Sequence, residues 1–274
     1  PAEKRNPLEL ETRGIGELIL QLVDQGVKTI CVGIGGSATN DGGIGMAAGL
    51  GVAFYDEQGH LLRPVGASLG RVARIDTSAV PKALQDIELR VLTDVTNPLC
   101  GSQGATYIFG GQKGLNPLLF PAIDQAMQGF YQLVDARILS MAGAGAGGGM
   151  AAGLVAFAGG KISSGIEKSL DLIDFDRKVQ KADLVVVGEG RMDLQSLSGK
   201  APVGVAKRTP EKIPVIAICG SLAEDLPTFP SQNIDAAFSI VLGPCEVADA
   251  LAHAERNLIS CARNIGNLLK MKAN

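Results

Sequence analysis

Residues 185–200, VVVGEGRMDLQSLSGK, set Glu189, Arg191, Asp193, Gln195 and Lys200 within twelve positions, directly after an apolar run. Carboxylates there can hold Mg2+ or accept a proton, and a guanidinium can clamp a carboxylate or phosphate through two parallel hydrogen bonds. Lys200 follows Ser198-Gly199 where a helix begins, an end whose dipole favours anions. The plainer account is a salt-bridged surface loop, but its place at the tip of an apolar strand favours function.

A second stretch, CVGIGGSATNDGG at 31–43, has five glycines in thirteen residues. A strand, a glycine turn and a helix start present free N–H groups to an anion. Gly35, Gly36, Ser37, Thr39 and Asn40 can line such a nest, with the Asp41 carboxylate beside them. The competing account is a tight strand–helix connection with a capped helix. Gly33, Gly35 and Ala38 also fit a loose dinucleotide fingerprint with Asp56 downstream, although few residues remain for its helix, and no Walker A lysine follows. TDVTNPL (93–99) puts Asp94 and Asn97 at another strand end, either as an Asn-Pro turn or as ligands for a metal-bound phosphate or a substrate hydroxyl. FGGQKG (109–114) places Gln112 and Lys113 between glycines, where a fixed lysine can neutralise phosphate. GAGAGGGM (143–150) either cradles an anion or packs a helix closely.

No Ser-His or Cys-His pair and no His/Cys metal cluster accompanies these groups. Glycine nests, basic loop residues and carboxylates at strand ends suit phosphoryl transfer, where positioning and charge neutralisation carry the chemistry. The net charge of −3, the absence of Trp and the lack of a basic stripe argue against nucleic-acid binding. Five scattered cysteines (31, 100, 219, 245, 261) imply reduced thiols, mostly small core residues, in a cytoplasmic protein. His60 and His253 are expected to play no catalytic part. No membrane span or signal peptide is expected.

The elements that position these loops follow from periodicity. Apolar runs at 27–34, 88–95, 182–190, 212–221 and 236–242 read as strands, and 52–62 as two short strands about a turn. Helices are expected near 10–26, over 116–139, after the loop at 143–149 and over 249–272. Apolar strands alternating with helices predict an α/β fold with a parallel sheet covered on both faces, and ligand loops at its carboxyl edge. The expected division is 1–128, an α/β domain with the first glycine loop and DVTNPL, and 129–274, a Rossmann-like domain with the GEGRMD loop.

Taken together, GIGGSATNDGG, DVTNPL, QKG, GAGAGGGM, SGIE (164–167), GEGR-D-QS--GK (188–200) and CGS (219–221) resemble the bacterial class I glycerate kinase family, from the first residues to the C-terminal helix. The resemblance implies two unlike α/β domains, one Rossmann-like with a mainly parallel sheet, and an active site in the cleft between them. It implies ATP- and Mg2+-dependent phosphorylation of D-glycerate, usually at the 2-hydroxyl. Two departures stand out: the family's opening strand and APDSFKGS-type loop have no counterpart, so the chain reads as a fragment, and Gly111 stands where the family has Pro. The expected roles are Asp193 as base, with Asp41 as runner-up; Arg191 for the glycerate carboxylate, with Asn97, Asp94 and Ser37 near the substrate; Lys200 and Lys113 for phosphate charge; residues 35–41 and Gln112 for phosphate oxygens; and Glu189 for metal. A homo-oligomer is compatible with this reading. The alternatives are an NAD-dependent oxidoreductase and a non-catalytic acid-binding module.

Overall fold

The apolar runs at 27–34 and 88–95 meet as neighbouring parallel strands. The structure, a computed structural model, describes residues 5–194, 196–198 and 201–272. The chain divides into two compact units, Pro1–Gly165 and Ile166–Asn274.

The first unit contains α1 (Arg13–Asp24), β1 (Thr29–Gly33), α2 (Ile44–Gly49), β2 (Ala53–Tyr55), β3 (Arg74–Asp76), β4 (Glu88–Leu92), α3 (Ala105–Phe109), α4 (Phe120–Val134), α5 (Met150–Ala158) and β5 (Lys161–Ser163). Strands β1, β4 and β5 form a parallel sheet in the order β1-β4-β5, with Gly33 opposite Leu92 and Leu92 opposite Ser163. Because all three run the same way, the loops after Gly33, Leu92 and Ser163 leave from one edge. Strands β2 and β3 pair antiparallel apart from this sheet.

Two apolar clusters hold the unit together. One gathers Ile44, Phe54, Leu99, Phe130 and Tyr131, and the other Ile30, Met46, Leu89, Val91 and Leu154. Leu99, Phe54 and Phe130 are each under 2% exposed, and burying a side chain of that kind stabilises by about 1.5–3 kcal/mol. Helices α1 and α2 cross where Gly16 meets Gly49; a Cβ on Gly16 would sit 2.1 Å from the Met46 carbonyl oxygen.

The second unit contains α6 (Gly165–Leu172), α7 (Phe175–Val179), β6 (Val185–Met192), α8 (Ala201–Arg208), β7 (Val215–Leu222), β8 (Ala236–Ser239), α9 (Val247–Ala252) and α10 (Ala254–Lys272). Its sheet is parallel in the order β6-β7-β8, with Glu189 opposite Cys219. Val187, Met192, Val203, Val215 and Ala217 form its core. Arg208 ties three elements together, donating twice to Asp176 (2.7 and 2.8 Å) and pairing with Glu167 (3.3 Å) and Asp171 (2.7 Å).

Several expectations meet differences. The units divide after Gly165 and not near residue 128, because α4 buries Met127, Phe130 and Tyr131 in the first unit's core and β5 completes that unit's sheet. The helix expected over 116–139 stops at Val134: Asp135 turns extended and its carboxylate accepts the Arg137 N–H, starting a separate 3-10 turn. The closing helix is interrupted at His253. Strands β1 and β6 are not covered on both faces; Cys31 is exposed, and Val186 is 54% exposed. All five cysteines are free thiols, but only Cys219 is a buried core residue. Among the described residues no helix is long and apolar enough to cross a membrane.

Gly16→Val is expected to destabilise the protein by about 1–3 kcal/mol through overpacking at the α1–α2 crossing. Gly129→Ala, on the exposed side of α4 where a Cβ meets nothing within 4 Å, is expected to stabilise by about 0.5–1 kcal/mol. Denaturant melts of the two variants check both signs.

Candidate active site

The loop of residues 34–43 leaves β1 at the carboxyl edge and enters α2. It lies between two clefts of the first unit. One, about 390 Å3, is walled by Ile15 and Gly14 of α1, Gly33, Gly35 and Met150; the other, about 590 Å3, by Arg5, Asn6, Gln112 and Lys113. Ser37 and Ala38 line both.

The second glycine loop, 143–149, backs the first. A Cβ on Gly145 would come 2.3 Å from the Pro98 carbonyl oxygen, and one on Gly148 would come 2.1 Å from that of Thr39. The Gly42 N–H donates to the Gly148 carbonyl (3.0 Å). Here glycine answers a packing demand, as in the close-contact reading of GAGAGGGM. Gly33 and Gly35 differ. Neither has positive φ, and a Cβ on either meets nothing within 4 Å. The fold itself gives no reason for glycine at these two positions, and both border the first cleft.

Two buried charges shape the loop. Asp41 is fully buried; its carboxylate accepts from Thr12 Oγ1 (2.7 Å), Gly43 N (3.0 Å) and Gly45 N (3.3 Å). Thr12 Oγ1 in turn accepts the Met46 N–H (2.8 Å). Burial pushes the Asp41 carboxyl above its ordinary range, against the pull of the Thr12 hydrogen bond. The structure therefore corrects Asp41 as a candidate base: its oxygens are enclosed and engaged in anchoring α1 to the start of α2. Lys113 is 8% exposed and donates to Ser37 Oγ (2.9 Å) and the Thr39 carbonyl (2.8 Å). Burial lowers its pKa to about 8, with nearby Asp41 opposing the shift. Asn40 is fully buried and donates to Thr106 Oγ1 (3.1 Å), and its Oδ1 has no partner among the described residues. Tyr131 donates from its buried hydroxyl to the Gly42 carbonyl (2.7 Å). Sequence reading missed Thr12, Thr106 and Tyr131, since no local pattern marks a loop support so distant along the chain.

At the neighbouring strand ends, Asp94 is exposed and accepts from Ser164 Oγ (3.1 Å), joining the tips of β4 and β5. Asn97 uses its amide on the Gln103 carbonyl (2.9 Å), and its own carbonyl accepts the Gly145 N–H (3.1 Å), so it serves the turn. Gln112 is exposed beside the second cleft. Asp56 is not the acid of a dinucleotide fingerprint. Its carboxylate accepts from Gln58 and His60 N–H and pairs with Arg71, and α2 has only six residues.

In the second unit, Glu189, Arg191 and Asp193 take every second position along and just past β6. Glu189 is half-buried, and its Oε1 has no hydrogen-bond partner among the described residues. Arg191 is exposed. Asp193 Oδ1 accepts from Ser196 N (2.9 Å) and Ser196 Oγ (3.2 Å), heading a 3-10 turn at Ser196–Ser198. Lys200 and Gln195 lie outside the described residues. Burial pushes the Cys219 thiol up, aided by the Glu189 charge. Among the described residues no group of three or more His, Cys, Asp or Glu could hold a metal. A Mg2+ ion carried on phosphates needs only one or two protein carboxylates, and the unpartnered Glu189 oxygen is of that donor type.

These features define an α/β protein of two parallel-sheet units, with glycine-rich loops at the carboxyl ends of its strands. The glycerate kinase family model matches residues 1–270, and the chain belongs to that family. It is 57% identical to a glycerate kinase of Neisseria meningitidis serogroup B, over 99% of this chain and 73% of that protein. It is 40% identical to a glycerate 2-kinase of Escherichia coli (strain K12), over 98% of this chain and 72% of that one. A crystal structure assigned as glycerate kinase 2 from Salmonella typhimurium LT2 superposes with a TM-score of 0.79 at 41% identity, over 100% of this chain and 72% of that chain.

Because the folded pKa of Lys113 lies below the ordinary 10.5, the unfolded chain binds the proton more tightly between the two values. The burial penalty is present below about pH 8 and is relieved as pH rises toward 10.5. Relative to Lys113→Met, wild-type stability is expected to rise across that window. Chemical denaturation at pH 7.5, 9 and 10.5 checks the sign.

Proposed function

We propose that the protein is a kinase that transfers the γ-phosphoryl group of ATP to D-glycerate at the 2-hydroxyl. Membership of a family whose relatives are named glycerate kinase and glycerate 2-kinase supports the reaction class. The observation that carries the reading is the open glycine surface at Gly33 and Gly35, at a parallel strand's carboxyl end, where neither packing nor backbone conformation calls for glycine. Such a surface admits the close approach of phosphate oxygens to backbone N–H groups.

In this reading residues 35–39 receive phosphate oxygens, with Gln112 beside them, Asn40 is a buried support, its N–H on the Pro7 carbonyl and its amide on Thr106, and Lys113 fixes the loop from beneath. Arg191 takes the glycerate carboxylate through a bidentate pair, and Lys200 adds positive charge for phosphate. Asp94 is a hydrogen-bond acceptor for glycerate. Asp193 orients the attacking hydroxyl. The hydroxyl oxygen bonds to the γ-phosphorus, its proton passes to Asp193, and the bond to the bridging oxygen breaks to release ADP. Glu189 would hold Mg2+, which would supply charge neutralisation on the phosphate oxygens.

The reading is tested by coupled ADP release with D-glycerate and 31P NMR of the product. A signal from the 2-phosphate supports it, and no glycerate-dependent ADP release overturns it. Asp193→Ala is expected to lower kcat by about 100-fold or more with little change in ATP affinity, as for loss of a proton acceptor. Near-normal turnover removes Asp193 from that role. Arg191→Met is expected to raise the KM for glycerate by about 10-fold or more, the loss of a charge-assisted pair.

A further inference from the structure

Lys113 and Ser37 lie 76 residues apart in sequence and meet at 2.9 Å. An ammonium has three donors and no acceptor, so the direction of this hydrogen bond is fixed: Lys113 donates and Ser37 Oγ accepts. The Ser37 hydroxyl proton must then point elsewhere. Among the described residues Ser37 makes no second side-chain hydrogen bond. Its side chain is half-buried and borders both clefts that flank the glycine loop. Lys113 commits two of its three donors to the loop. Its second bond goes to the Thr39 carbonyl (2.8 Å), and Gly148 packs so closely that a Cβ there would stand 3.0 Å from Nζ.

We propose that Lys113 is a positioning residue acting through Ser37: by occupying the acceptor side of the hydroxyl, it obliges Ser37 to donate its proton to a phosphate-class oxygen bound against the loop. The proposal rests on the reading of residues 35–39 as a phosphate loop and gives that loop one specific side-chain donor. It also assigns Lys113 a different task from direct neutralisation of phosphate. A donor polarised by a neighbouring cation is stronger than a neutral hydroxyl, so the buried charge reaches the ligand by one relay.

The reversed bond becomes available when Lys113 loses its proton, because a neutral amine can accept from Ser37. The charged groups facing Lys113 are Asp41, which favours the ammonium, and Arg5, which packs against the neighbouring Gly114 and lines the same cleft. An alkaline limb near pH 8 is therefore expected in kcat/KM for ATP.

The test is a double-mutant cycle of Ser37→Ala and Lys113→Met, with Ser37→Thr as the variant that keeps the hydroxyl. ADP release with D-glycerate is measured from pH 6.5 to 9.5, and ATP–Mg2+ binding by calorimetry. Ser37→Ala and Lys113→Met should each lower kcat/KM by about 10- to 100-fold, the scale of one charge-assisted hydrogen bond. The double variant should be no worse than Lys113→Met alone, because the two groups act in series. Ser37→Thr should retain most activity, and the alkaline limb should flatten in Ser37→Ala. Multiplying losses, or a Ser37→Ala enzyme with wild-type rates and pH profile, overturns the relay while leaving the kinase reading intact. A wild-type protein that binds no nucleotide overturns both. If Lys113→Met does not fold, Ser37→Ala against Ser37→Thr decides, since both keep the ammonium.

Discussion

The candidate loop is held by two buried charges of opposite sign, Asp41 within it and Lys113 reaching it from another part of the chain. Asp41 fixes its end to α1 and α2 through Thr12 and two backbone N–H groups, while Lys113 bonds its middle at Ser37 and Thr39. A buried charge is costly unless hydrogen-bonded, and both are bonded. Asp41 favours the ammonium of Lys113 at a distance, although burial dominates for each group. A turn rich in glycine has large conformational entropy to lose. These anchors supply the shape that side-chain packing within the turn does not.

The two glycine loops of the first unit divide the work. At Gly145 and Gly148 of the second loop, other backbone lies where a Cβ atom would be. They form the support. Gly33 and Gly35 face open space and form the surface. Similar composition thus meets opposite demands, one from inside the fold and one from outside it. The second unit's strand end works on another principle: Glu189, Arg191 and Asp193 gather at the end of β6 and just past it, and Ser196 holds the last of them in place.

Much of the architecture was legible because burial writes itself into runs of apolar residues. The strands at β1, β4, β6, β7 and β8 follow from such runs, and the parallel arrangement follows from the helices between them. β3 (Arg-Ile-Asp) and β5 (Lys-Ile-Ser) carry too few apolar residues to mark themselves, and their partners identify them. The interruption at Asp135 came from a local hydrogen bond that competed with the helix. The unit boundary was misplaced because α4 joins its core through Met127, Phe130 and Tyr131, contacts that periodicity does not reveal. Among site residues, the loop and its glycines were legible from composition. The burial of Asp41, the Lys113–Ser37 bond and the support from Tyr131 were not, since each joins residues far apart in sequence. The short run left for a helix already argued against Asp56 as a fingerprint acid, and its hydrogen bonds to Gln58 and His60 show a turn residue.

The central claim is that the open face of the first glycine loop, and not its supporting partner, meets phosphate. Amide chemical shifts during a titration with ATP–Mg2+ test it most directly. The account predicts large shifts at Gly33, Gly35, Gly36 and Ser37, with much smaller ones at Gly145, Gly147 and Gly148. Saturating nucleotide that leaves the amides of residues 33–37 unmoved would contradict it.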